Sequence, residues 1–504
     1  MTEIHVSRHE VGGVPVFALD GPTAPNPSLG LTFRVGRTDE TAPLTGITHL
    51  VEHLILPASI GQPVDFNGTV DELFTSLWAR GDVDDLLAFV ASVVGLLARP
   101  PLERLEVERR TLLAEEATQS LGGPRQGLAL RFGPHGPGLS GYQEYGLRKV
   151  TASDVEEWTE SRFTQESAAM WISGVPIERL EIALAGGGKR HVPVVPAQLD
   201  DVRTPAVYAY GSGTGVCLSM LGELSGTTVL ALDALADALI QRLRYELGLS
   251  YSINWTTQPL SAMLTQLTVT ADVADADVPK WLDEAVGVLD RLAGVGPEAS
   301  WLERTKRALN RYDTEPGRAT SWLAWCAESE LLGRSYQTHS EAVAEREEVT
   351  ADEIARYLGD ARGTLLVLGP GTTPVSSGFE EYPMSSTRRV HGKRHRPRGW
   401  RNRLRRHLRE VELISGDEGV TLVMVGGQAC TATYDTAAVC LRRPGERTLV
   451  SHDGFFINLD CDDWVDGDAV FDSIDTRMSD ERTVRMDTNG DRFEQVDTPA
   501  GESA

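Results

Sequence analysis

The sequence predicts an α+β protein of two related domains followed by a small β-rich domain. Three observations carry this. Short apolar runs alternate with helical stretches in the order strand, helix, strand, helix, once over residues 1 to 185 and again beyond residue 205. Between the two passes, Gly186-Gly187-Gly188, Pro193, Pro196 and Pro205 read as an interdomain linker. Past residue 410 the pattern changes to closely spaced short strands. The expected divisions are residues 1–190, 200–372, a basic linker over 373–410, a β-rich domain over 411–480 and an acidic tail without fixed structure over 481–504. A chain of 504 residues is too long for one core, in keeping with several domains.

Composition narrows the function classes. Hydrophobic residues at 41% with 24% charged residues are ordinary for a folded globular protein. The formal charge of −25 argues against nucleic acid as a partner, because phosphate backbones need basic surface. The N-terminus, Met1-Thr2-Glu3-Ile4-His5-Val6, has no basic region followed by an apolar run, and no apolar segment reaches the roughly 18 residues of a membrane span. Cys217, Cys326, Cys430, Cys440 and Cys461 form no CxxC pair, and their odd number fits free thiols in a reducing compartment. A cytoplasmic location is expected.

In the first unit, Val14–Leu19 and Leu29–Val35 read as strands, the second with Leu29, Leu31, Phe33 and Val35 on one face. They lead into Gly46-Ile47-Thr48-His49-Leu50-Val51-Glu52-His53-Leu54. On a helix His49 and His53 share a face one turn apart, with Glu52 beside them. Two such imidazoles can bind one Zn²⁺, and a neighbouring carboxylate can take a proton from water activated there. The order His-x-x-Glu-His inverts the commoner zinc-peptidase motif. With 11 His and 73 acidic residues in 504, chance placement would produce a His-x-x-(Asp/Glu)-His match with a probability of only about 3%. The competing reading is an amphipathic helix with two incidental histidines.

Phe66–Asp71 followed by Leu73–Trp78 reads as a turn signal and an edge strand next to this site. Residues 82 to 97 have helical periodicity, which Pro100-Pro101 stops. On the helix that follows, Glu108 and Glu115 lie on one face. A catalytic zinc held by two histidines needs a third protein ligand, so Glu115 is the candidate, with Glu108 standing behind it. The competing reading is a solvated face, since Glu103, Glu106 and Glu116 crowd the same stretch.

Together these elements resemble the pitrilysin/insulinase family of zinc peptidases. The likeness rests on Gly46 to His53 as G-x-x-H-x-x-E-H, on Asn67 to Val70 as a degenerate N-A-x-T element, and on Glu108 to Glu115 as E-x6-E. The resemblance implies α/β-sandwich domains, with His49, His53 and Glu115 as zinc ligands, Glu52 as the base that activates water, and Asn67 on the substrate edge. The sequence departs from the pattern in a shorter spacer between His53 and Asn67, in Gly68 where the element has alanine, and in Val70 where it has threonine.

In the second unit, residues 207 to 221 read as strand, 227 to 247 as a long helix and 264 to 273 as strand. Arg244 to Tyr251 is similar to the family's R-x6-Y element, which implies that this pair binds the substrate backbone near the metal; the competing reading is a surface pair at a helix end with a glycine turn. Residues 301 to 332 have a helical pattern, Thr350 reads as the cap of a further helix, and 365 to 370 as a buried strand. From Arg388 to Arg409 a basic run could touch an anionic membrane surface, or be neutralised by the acidic chain around it. Five short strands over 420 to 459 and a helix from Asp468 form the last domain, loosely similar to a pleckstrin-homology-like module.

The function this implies is a zinc endopeptidase that cleaves peptides or short unfolded polypeptides. In the family two halves close a chamber. One chain here supplies one half carrying both the zinc motif and the Arg/Tyr element, which implies a homodimer, or a heterodimer with a related subunit. Two alternatives stand beside it: a processing peptidase for one dedicated peptide, and a non-catalytic binding or scaffold subunit. Two imidazoles and a carboxylate also accept Mn²⁺ or Co²⁺.

Overall fold

A computed structural model describes residues 4–19, 26–56, 64–118, 121–199, 207–211, 215–313, 315, 317–335, 337–370, 379–383, 385–398 and 411–486. The first unit is built from β1 (Val6–Val11), β2 (Val14–Leu19), β3 (Ser28–Phe33), α1 (Ile47–Ile55), β4 (Asp65–Val70), β5 (Thr75–Arg80), α2 (Val83–Ala98), α3 (Leu105–Glu116), α4 (Gly123–Phe132), α5 (Ala152–Arg162) and β6 (Ala168–Ser173). Its sheet runs β1-β2-β6-β3-β5-β4, antiparallel except for the parallel pair β2–β6, so β4 is an edge. One face of the sheet receives α1, α2 and α5. Leu29, Leu31 and Phe33 of β3 meet Leu50, Val51 and Leu54 of α1 and Phe89 and Val93 of α2 in one buried cluster. The 3.6-residue period of α1 sends its apolar residues inward and leaves His49 and His53 half-buried on the other side.

The second unit repeats this plan with β7 (Val207–Gly211), β8 (Val216–Glu223), α6 (Gly226–Leu239), β9 (Ile253–Pro259), β10 (Leu264–Ala271), α7 (Val278–Val295), α8 (Ala299–Tyr312), α9 (Arg318–Leu331), α10 (His339–Glu348), α11 (Ala351–Arg362) and β11 (Leu366–Pro370). The order β7-β11-β8-β10-β9 matches β2-β6-β3-β5-β4 strand for strand, and the parallel pair β11–β7 stands where β2–β6 does. The helix corresponding to α1 is α6, which carries no histidine. The stretch expected to be helical over 301 to 332 is two helices: α8 ends at Tyr312, and Gly317 at φ 96° starts α9.

Each unit covers the other's second sheet face. α9 crosses to the first sheet, where Leu323, Cys326, Ala327 and Leu331 pack on Phe17, Ala169 and Trp171. In return α4 lies on the second sheet, with Leu128 and Phe132 against Leu221 and Leu260. The fully buried Arg131 of α4 donates to the carbonyls of Ser219 and Thr364 at 2.8 and 2.6 Å and to Gln198 Oε1 at 3.1 Å, tying both units to the linker.

The C-terminal part differs from the expected divisions at both ends. Within the expected basic linker, β12 (Glu380–Glu381) adds to the second unit's sheet beside β7, and β13 (Lys393–His395) opens the β-rich module. Several linker cations are paired: Arg388 with Glu418, Lys393 with Asp466 and Arg394 with Glu412. Residues 399–410, with the rest of the basic run, lie outside the described residues. The module continues through β14 (Glu412–Ser415), β15 (Gly419–Val423), β16 (Ala429–Thr433), β17 (Val439–Arg443), β18 (Glu446–Val450), β19 (Phe456–Asp460) and the helix Gly467–Arg477. The described part ends in β20 (Thr483–Arg485), parallel to β17 with Val484 fully buried, so residues 481–486 of the expected tail are ordered, and 487–504 lie outside the described residues. A three-residue strand is too short to stand out from its charged flanks by periodicity.

Candidate metal centre

The helix that carries the motif starts at a tight turn. Gly46 takes φ 91°, and a Cβ there would lie 2.8 Å from the Glu144 Cβ and 2.9 Å from Leu147 Cγ, so only glycine fits. No side chain at Gly46 caps α1; Glu40 does so instead, accepting the N–H groups of Gly46 and Thr48 at 2.9 and 3.0 Å. Burial pushes the Glu40 carboxyl up to about 7, with those two hydrogen bonds working against the shift.

One turn along, the rings of His49 and His53 stand edge to face with centroids 4.9 Å apart. α3 packs beside α1 and brings Glu115 to the same point. One donor atom each from His49, His53 and Glu115 lies within 4.8 Å of the other two. His53 Nε2 is 3.8 Å from Glu115 Oε2 and 3.7 Å from Glu52 Oε2, while its Nδ1 is turned to Glu108 Oε2 at 3.5 Å. Glu108 is in turn held by Arg104. His49 Nδ1 lies 3.1 Å from both oxygens of Glu144, and Glu144 also accepts from Arg37 at 2.6 Å. The backbone N–H of Glu144 donates to Glu116 at 2.6 Å, and Glu116 pairs with Arg148. With Nδ1 of each histidine engaged by a carboxylate, Nε2 is the nitrogen left for a metal.

The electrostatics follow from this packing. Burial alone would raise Glu144, but the hydrogen bonds and positive charge of His49 and Arg37 hold it down to about 2. His49 is lowered by burial yet raised overall by Glu144, whereas His53 is lowered by burial and by His49. Burial drives Glu52 up to about 7, opposed by His49 and reinforced by Glu115 and Glu108. The carboxylates gathered around two imidazoles leave an excess of negative charge that a divalent cation would neutralise.

Beside the base runs the edge strand β4, paired on one side with β5. Its alternation exposes Asp65, Asn67 and Thr69 and turns Gly68 inward. A Cβ on Gly68 would sit 2.2 Å from Glu52 Oε1, so the strand's backbone passes directly over the carboxylate. Asn67, expected on the substrate edge, is on the strand's exposed face, the side away from Glu52.

Arg244 and Tyr251 are brought to each other but sit on the second unit. After α6 the chain widens into a π-helical turn over Ile240–Glu246, and the Arg244 guanidinium lies 4.7 Å from the centre of the 74%-exposed Tyr251 ring. Among the described residues neither forms a hydrogen bond or ion pair with the His49–His53 cluster. Sequence reasoning missed Glu40, Arg37, Glu116 and Glu144. Their only local signal is the buried aromatic pair Tyr142 and Tyr145 flanking Glu144, which marks that turn-rich segment as packed rather than solvated.

The donor set suits zinc: two imidazoles and one carboxylate, with each histidine oriented by an acid. The ligand atoms of a tetrahedral zinc lie about 3.3 Å apart. Of the three, Glu115 is the most exposed, at 38%.

No protein-family model matches the sequence, and no curated protein matches it significantly. Solved structures do match the fold. An inactive-domain peptidase M16 structure from Pseudomonas fluorescens aligns with a TM-score of 0.63 at 13% identity, over 74% of this chain and 100% of that one. A protease from Helicobacter pylori aligns at 0.60 and 12%, over 73% and 100%. Pitrilysin aligns at 0.56 and 14%, over 73% of this chain and 46% of its own. The chain therefore has the α+β fold of the M16 peptidases.

Proposed function

We propose that this chain is a zinc-dependent metalloendopeptidase acting on peptides or short unfolded polypeptides. The observation that carries the reading is the convergence of His49, His53 and Glu115 donor atoms beside a buried carboxylate, Glu52, under the open edge of β4. A divalent ion held by these three side chains supplies the positive charge that acidifies water and polarises a peptide carbonyl.

The chain's own groups do the rest. Among the described residues β4 pairs on one side only, so its other backbone edge can take an extended peptide, and Gly68 lets that backbone come close to Glu52. Glu52 takes the proton of the attacking water and returns it to the leaving amine. Burial raises its proton affinity, which favours its taking the proton. Glu144 and Glu108 hold the two imidazoles in orientation. Arg244 can donate to a peptide carbonyl and Tyr251 to a developing oxyanion. Because that pair sits on the second unit, the reading includes a dimer, homomeric or with a related chain, in which one subunit's pair faces the other's metal centre. A strictly monomeric active species would refute the dimer.

The test compares wild type with Glu52→Gln for metal content and peptide cleavage. About one zinc per chain in both, with cleavage lowered at least about 10²-fold in the variant, is the expected result. A wild type without metal or cleavage favours the second reading, a non-catalytic subunit, which the likeness to an inactive M16 domain supports. Cleavage of one peptide but not of unrelated ones would narrow the activity to a dedicated processing peptidase.

A further inference from the structure

We infer that the C-terminal β-rich module is a working part of the metal centre, fixing the segment that presses the Glu144 carboxylate onto His49. This rests on the metal-site reading above. The segment, residues 133–149, forms short 3-10 turns rather than a continuous helix, so its position is set by what packs on it. On one side lies the turn before α1. Thr45 Oγ1 donates to the Gln143 carbonyl at 3.2 Å, and Gly146 is pressed against Leu44.

On the other side lies the module. Leu139, Tyr142 and Tyr145 form one buried cluster with Val439, Leu441, Val450, Val484 and Met486. The rings of Tyr142 and Phe456 are 5.9 Å apart, and those of His135 and His452 4.5 Å. Lys149 closes the end by donating to the carbonyls of Asp480 and Glu481 at 2.7 and 2.6 Å. Glu144 is thus one residue from Tyr145, which is only 1% exposed and anchored on the module, while its own carboxylate reaches His49. A carboxylate that orients a ligand histidine must be held to a fraction of an ångström, and here the module supplies one wall of that grip.

The experiment measures Zn²⁺ affinity of the full chain by competition with a chromogenic chelator, so no activity is needed. Glu144→Gln is expected to weaken binding about 10- to 100-fold. Val484→Asp, which opens the module's seat, is expected to weaken it about tenfold, and Val484→Ile, which keeps the contact, to leave it unchanged. Lys149→Gln loosens the same seat without burying a charge and should weaken binding about threefold. In the Glu144→Gln background neither Val484→Asp nor Lys149→Gln should weaken it further, because the module acts through that carboxylate. Wild-type affinity in both Val484→Asp and Lys149→Gln, or losses that multiply with Glu144→Gln, would overturn the inference while leaving the metal site intact. A wild type that binds no zinc would instead remove the metal-site reading and the inference with it.

Discussion

Replacing Glu144 by glutamine should expose how much the first unit invests in one carboxylate. Its carboxyl is held from 4.5 down to about 2, a preference for the charged form worth about 3 kcal/mol at neutral pH. The side chain is 10% exposed and its partner Arg37 13%, so solvent screens little of this. The sign follows from the depressed pKa. The stabilisation is present in full above the unfolded value of 4.5 and drains away as pH falls toward about 2. Urea unfolding of the metal-free chain, wild type against Glu144→Gln, should give a gap of about 3 kcal/mol at pH 7 that narrows to about 1.5 kcal/mol at pH 3. A gap below about 0.5 kcal/mol at pH 7, or one of the same size at both pH values, would refute the argument that Glu144 is held as a charged partner of Arg37 and His49.

Glu328 on α9 behaves in the opposite sense. Burial, with Asp71 adding to it, raises its carboxyl to about 7, so the stability it permits is complete below 4.5 and is lost as pH rises through about 7. Glu328→Gln should therefore stabilise the chain by up to about 3 kcal/mol in urea unfolding at pH 8 and leave it unchanged at pH 4. Arg131→Met removes the donor to Gln198, Ser219 and Thr364, and it should cost about 3 kcal/mol and speed limited proteolysis within residues 186–199. Gly46→Ala forces a Cβ into the left-handed turn and against Glu144, which should lower stability by about 2 kcal/mol and weaken zinc binding in the chelator assay.

Much of the architecture is legible in the sequence because it is periodic. The alternation of Leu29, Leu31 and Phe33 and the helical spacing in α1, α2 and α11 translate directly into buried faces. Thr350 reads as a cap and is one, accepting the N–H of Glu353. The helical stretch over 301 to 332 divides between Tyr312 and Arg318, where Pro316-Gly317 in the sequence interrupts the helical pattern. The strands β12, β13 and β20 escape notice because strands of two or three residues leave no alternation to count.

By itself the sequence determined the pairing of His49 with His53 on one helix face, the nearness of Glu52, and Glu108 and Glu115 on one face of a second helix, because each of these relations spans one or two turns. It also determined that two α+β units follow one another. Tertiary structure alone decided which acids serve the site and what holds them. Glu144 reaches His49 across 95 residues, Arg37 reaches Glu144 across 107, and α9 closes the first sheet from the second unit. Such contacts follow from how the helices and sheets pack, and packing of surfaces distant in the chain leaves no period, cap or spacing for a reader of the sequence to find.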